Sequence, residues 1–81
     1  MTLTNYQLQL AKMLVDEHMD ESRNSVNFAI ECEWCSNEEI ELFDELCKNP
    51  ECETSVGDNR WIKVRYSVVN GLYEITCGEY R

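Results

Sequence analysis

The chain is poor in residues that break or punctuate structure, with one proline and three glycines in 81 residues. That excludes a proline-rich linker and a glycine-rich phosphate-binding loop. A single histidine, His18, is a thin basis for a histidine-centred catalytic or metal site. Positive charge is also scarce: seven Lys and Arg stand against sixteen Asp and Glu, for a net charge of −9. This balance argues against direct binding of nucleic acid or an anionic membrane. No apolar run is long enough to span a bilayer. Nor is a secretory leader expected, since Met1 to Asn5 carry no basic group and Gln9 and Lys12 interrupt the apolar positions from Leu8 to Val15. The expectation is one cytoplasmic domain over residues 1–81, whose five cysteines are thiols or metal ligands rather than disulfides.

Against these absences stands a hydrophobic content of 43 % with two tryptophans, four tyrosines and two phenylalanines, enough to order a small core. Residues 5–20 read as a helix capped by Thr4. Its main face is Tyr6, Leu10, Ala11, Met13 and Leu14, with His18 at the edge and Leu8, Val15 and Met19 on nearly the opposite side. That second stripe is a candidate surface for a homodimer. From Val26, apolar residues alternate through Phe28, Ile30, Cys32 and Trp34, which predicts a strand with one buried face. Ser36 and Glu39 form a capping box opening a second helix whose core positions are Ile40, Phe43, Leu46 and Cys47, with Leu42 at the margin. Pro50 ends it, and a loop is expected over residues 49–59.

Asn70-Gly71 between two alternating runs predicts a hairpin with a two-residue turn. Val68 should then face Tyr73, Tyr66 face Ile75 and Val64 face Cys77. The outer face would carry Trp61, Lys63, Arg65 and Tyr80, with Arg60 and Arg81 nearby, to shield the sheet or bind a partner. The resulting order α–β–α–β–β is an α+β fold of two layers, a three-stranded, mainly antiparallel sheet with both helices on one face. The first strand is expected beside the last, antiparallel to it.

The strongest anomaly lies between Glu31 and Glu53, where nine acidic side chains accompany one basic residue, Lys48. On the second helix Glu38, Glu41, Asp44 and Glu45 face away from the core. Glu39 has its own reason in the capping box. Glu41 and Glu45 are like charges at i, i+4, a spacing that costs roughly 0.2–0.5 kcal/mol. Glu31 and Glu33 before the helix and Glu51 and Glu53 after it extend the surface. These eight acids are the candidate partner-binding residues, suited to a groove lined by Lys and Arg.

Cys32, Cys35, Cys47 and Cys52 have the count of a four-thiolate zinc site. A helix starting at Ser36 and the core positions of Cys32 and Cys47 favour packed thiols instead, so no cofactor is expected, with zinc the alternative. Cys32-Glu33-Trp34-Cys35 does not make a thioredoxin-like motif, because its first cysteine belongs to the strand. Cys77 reads as packing. No catalytic set is discernible.

In length, charge and α+β layout the chain resembles small acidic inhibitors encoded by phages, such as anti-CRISPR proteins and DNA mimics; the likeness is one of profile and carries no motif. It implies a non-catalytic inhibitor in the host cytoplasm that occupies the basic groove of a nucleic-acid-binding protein. The alternative is a zinc-stapled or homodimeric interaction module.

Overall fold

The computed structural model describes residues 3–19, 24–57 and 59–80. Two helices, α1 (Asn5–His18) and α2 (Asn37–Cys47), accompany four strands, β1 (Ser25–Glu31), β2 (Thr54–Gly57), β3 (Arg60–Ser67) and β4 (Leu72–Glu79). The strands form one antiparallel sheet in the order β1-β4-β3-β2. The fold is α+β, with a fourth strand where a loop was expected. Asp20, the last residue of the expected first helix, lies outside the described residues, as do residues 21–23, Asp58 and Arg81.

Both helices begin where side chains can satisfy free backbone N–H groups. Thr4 Oγ1 accepts from the Gln7 N–H at 3.0 Å, while Gln7 Oε1 accepts from the Thr4 N–H at 2.9 Å. Ser36 and Glu39 repeat the arrangement on α2, at 3.1 and 2.9 Å.

The buried arc of α1 is Ala11, Leu14, Val15 and Met19, joined by partly buried Leu8 and Leu10, whereas Tyr6 and Met13 face solvent. The Leu8, Val15 and Met19 stripe proposed for a homodimer is therefore core, because α1 lays that side across β2, β3 and α2. On α2 the fully buried positions are Leu42, Phe43 and Leu46, with Ile40 and Cys47 only partly buried. Leu42 moves from the margin to the centre because α2 packs on α1 as well as on β3.

The strand expected to run through Trp34 stops at Glu31, and Cys32–Trp34 form a 3-10 turn. Trp34 consequently points to solvent. The hairpin register differs by two residues from that of an Asn70-Gly71 turn: Ser67 pairs with Leu72, Tyr66 with Tyr73, Val64 with Ile75 and Ile62 with Cys77. Residues 68–71 form the loop, closed by Gly71 N–H donating to Ser67 O at 2.9 Å. Gly71 supplies the positive φ of 64° that this closure needs. A shift of two preserves which side each residue faces, whereas a shift of one would invert every face. Ile62, Val64, Tyr73, Ile75 and Cys77 are accordingly buried as expected, whereas Val68, now in the loop, and Tyr66, near the loop end of the hairpin, are exposed.

β2 was hidden in the sequence by its shortness and by having one apolar residue, Val56. A bulge at Val56 lies between the Ser55–Trp61 and Gly57–Arg60 pairs. Beyond it Arg60 joins α1 to the sheet by ion pairs with Asp16 and with Glu79, the latter at 3.4 Å. The two sheet edges differ. β2 is four residues long and bulged, whereas β1 holds seven consecutive residues in unbroken register with β4.

Trp61 lies across from Gly78. A Cβ at Gly78 would meet the Asn24 carbonyl oxygen at 2.6 Å and Trp61 Cζ2 at 2.8 Å. Gly78→Ala should force β1 and the indole away from β4, destabilising the domain by about 1–3 kcal/mol. A thermal melt should show it as a loss of several degrees; an unchanged midpoint would contradict the close packing.

Candidate functional site

The eight candidate acids do not behave alike. α2 carries Glu38, Glu41, Asp44 and Glu45 on the side away from its buried arc, the first three exposed and Glu45 partly so. Glu38 and Glu39 lie in the first turn, where the helix dipole favours negative charge. Glu45 is tied to Lys48 at 2.8 Å. Asp44 accepts a hydrogen bond from the Tyr73 hydroxyl at 2.7 Å, so the sheet fixes one carboxylate of the acidic face from below. Tyr73 is itself buried, its ring set between Phe43 and Tyr66 at centroid distances of 5.1 and 5.3 Å.

Glu31 ends β1 and accepts the Trp34 indole N–H at 3.0 Å. Glu51 belongs elsewhere: it pairs with Arg65 at 2.7 Å, and Arg65 lies on the sheet face turned away from the helices. Glu33, Glu38, Glu41 and Glu53 are exposed and have no ion-pairing or hydrogen-bonding partner among the described residues. The structure thus keeps the acidic face of α2 and its approach through Glu31 and Glu33, but draws Glu51 away.

The outer sheet face carries Trp61, Lys63 and Arg65, as the alternation indicated. The Lys63 ammonium sits 5.7 Å from the Trp61 ring centroid, and Arg65 pairs across strands with Glu74. Pro50, Lys63, Arg65, Glu74 and Thr76 line a shallow depression there. Its charge is internally balanced by Glu51 and Glu74.

All five thiols are free. Cys32 and Cys35, at the 3-10 turn between β1 and α2, and Cys47, at the end of α2, are partly buried, while Cys52 is exposed in the following loop. No three His, Cys, Asp or Glu side chains among the described residues are grouped to hold a metal, so the four candidate zinc ligands are not brought together. Burial pushes the Cys35 thiol up, helped by Glu39 and Cys32; burial likewise raises Cys47, with Asp44 and Cys32 adding to it. Cys77, fully buried, is raised by burial against a smaller opposing effect of Arg60. His18 stacks on Phe28 with centroids 3.7 Å apart, and its Nδ1 lies 2.9 Å from the Leu14 carbonyl oxygen, the helix-end placement expected of it.

Three contributors, Tyr73, Trp34 and Val68, have roles that were not visible in the sequence. Tyr73 was read as core only, and its bond to Asp44 joins residues 29 positions apart that no local pattern links. The exposure of Trp34 and Val68 follows from the 3-10 turn and the longer loop, for which the apolar pair Val68-Val69 gave no warning.

Comparison of the chain with family models, with curated proteins and with solved structures finds no match in any of the three. Among the described residues, no helix is long and apolar enough to cross a membrane.

Two outcomes test this geometry. Burial, and then the bond to Asp44, hold the Tyr73 hydroxyl well above its ordinary 10.0, and burial holds Cys77 above 9.0. Folded values above unfolded ones mean stability that is intact below the ordinary values and lost as pH rises through the folded ones. Melting temperature should therefore fall from about pH 9 upward. Tyr73→Phe should cost about 1–2 kcal/mol at neutral pH and remove part of the alkaline decline. Second, a thiol reagent applied to the native protein should modify Cys52 first and Cys77 only on unfolding. Rapid modification of Cys77 would refute its burial.

Proposed function

We propose that this chain is a non-catalytic binding protein whose acidic α2 flank occupies a Lys- and Arg-lined groove of a nucleic-acid-handling protein and competes there with the nucleic acid, as a small inhibitor of the anti-CRISPR or anti-defence type. The observation that carries the reading is the placement of Glu38 and Glu41, exposed on one side of α2 and without a countercharge among the described residues. Like charges gathered on one helix repel, and an external cationic surface relieves that repulsion. Proteins that bind nucleic acid carry such surfaces because they neutralise phosphates. The bond from Tyr73 to Asp44 supports the reading further, since it holds the flank in one orientation before a partner arrives.

Binding is favoured over catalysis by the state of the reactive side chains. Raised thiols stay protonated at neutral pH and are weak nucleophiles. His18 is committed to a ring stack and a backbone contact. A chain acting on such a target would work in the cytoplasm of the host cell.

The test is affinity capture from a lysate of the cell that makes the chain, with elution by rising salt, identification of the retained protein, and displacement by a short DNA duplex. Glu38→Gln with Glu41→Gln should weaken retention by at least about tenfold at low salt and lower the eluting salt, with little effect on the melt. Unchanged retention, or a duplex that fails to compete, would overturn the reading.

A further inference from the structure

One end of the molecule leaves large apolar side chains exposed. Trp34 is 76 % exposed, Val68 82 %, Val69 93 % and Tyr66 44 %. Trp34 stands on the 3-10 turn and the valines on the β3–β4 loop, and these two pieces lie side by side. The Cys32 N–H donates to the Gly71 carbonyl at 3.2 Å. An open groove of about 430 Å³ between them is lined by Glu31, Cys32, Glu33, Tyr66, Asn70 and Gly71. Closure of the loop depends on Ser67, Asn70 and Gly71. Val68 and Val69 contribute nothing to that closure, and an apolar loop tip is disfavoured in water.

Trp34 is held rather than loose. Its indole N–H is bound by the Glu31 carboxylate at 3.0 Å, and the turn beneath it is closed by Cys35 N–H on Cys32 O at 3.2 Å. A large aromatic fixed in one pose loses little freedom when a partner covers it, and tryptophan is a preferred anchor of protein interfaces. The charges around this end are acidic: Glu31 and Glu33 line the groove, and Glu38 and Glu41 follow on α2. An apolar centre with a charged rim is the anatomy of a docking surface. The sign of the rim selects the occupant. A second copy would bring the same acidic rim, and nucleic acid or an anionic membrane would be repelled.

We infer that this end docks a cationic amphipathic segment of a protein partner, an apolar stripe flanked by Lys or Arg, with Trp34 and Val69 as anchors and Glu31 and Glu33 as rim. The inference rests on the basic-partner reading above and adds to it a contact that charge alone does not provide.

Trp61→Phe leaves Trp34 as the single tryptophan, on a variant whose substitution lies on the far face of the sheet. The probes are a synthetic amphipathic peptide of leucine and lysine and a second peptide of equal charge with serine in place of leucine. The leucine peptide should bind about tenfold more tightly, shift the Trp34 emission to the blue and protect it from acrylamide. Val68→Ser with Val69→Ser, both at exposed loop positions, should abolish that preference. Equal affinity for the two peptides, or binding that leaves Trp34 as quenchable as before, would overturn the inference while leaving the acidic-flank reading in place. Binding of neither peptide at low salt would overturn it too, and the Glu38 and Glu41 substitutions then decide the acidic flank separately.

Discussion

The rest of the structure depends on β4 being hydrogen-bonded along both sides, to β1 and to β3. A strand in that position fixes its neighbours' registers and commits alternate residues to the core. Tyr73, Ile75 and Cys77 point beneath the helices, and Thr76 faces outward with Glu74. Tyr73 extends this order to α2. Its ring packs on Phe43 and its hydroxyl binds Asp44, so one side chain of β4 helps determine which side of the helix meets water. The direction of the acidic flank is in this sense a property of the sheet.

The distribution of carboxylates shows two uses of one chemical group. Some bind the fold together: Glu39 caps α2, Asp16 and Glu79 hold Arg60, and Glu51 holds Arg65. Exposed ion pairs of this kind contribute little individually. Glu33, Glu38, Glu41 and Glu53 have no such internal task among the described residues. Charge that the fold does not neutralise remains open to an external countercharge, and one of these four, Glu33, lines the groove beside the exposed loop.

Much of this architecture could be read from local chemistry. The caps at Thr4 and Ser36, the strand through Phe28, the hairpin, and the antiparallel neighbourhood of the first and last strands all rest on patterns a few residues long or on simple chain geometry. What escaped the reading depended on tertiary choices. Val68 and Val69 continue an apolar run, yet closure onto Gly71 requires the chain to leave the ladder at Ser67. Trp34 keeps the alternation of β1 but falls where the backbone turns toward α2. β2 contributes a single buried side chain, Val56, too few for a periodic signal. The acidic residues of α2 were placed by helical spacing alone, whereas the fate of Glu51 depended on Arg65, fourteen residues away in sequence.

The straight edge of β1 has a consequence for the molecule in solution. Its outer backbone groups are unpaired among the described strands, and the strand has neither the bulge nor the shortness that protects β2, nor a proline or lysine. Such an edge is a template for adding another strand, including the same strand from a second molecule. Only Glu31 carries charge along it. Protection against sheet extension therefore falls to the net charge of −9, which repels copies before their edges meet. That barrier is colloidal rather than conformational, and it weakens when carboxylates are protonated or when salt shortens the reach of the repulsion. Resistance to sheet extension at β1 thus depends on the ionisation of the surface, while the open edge itself stays in place.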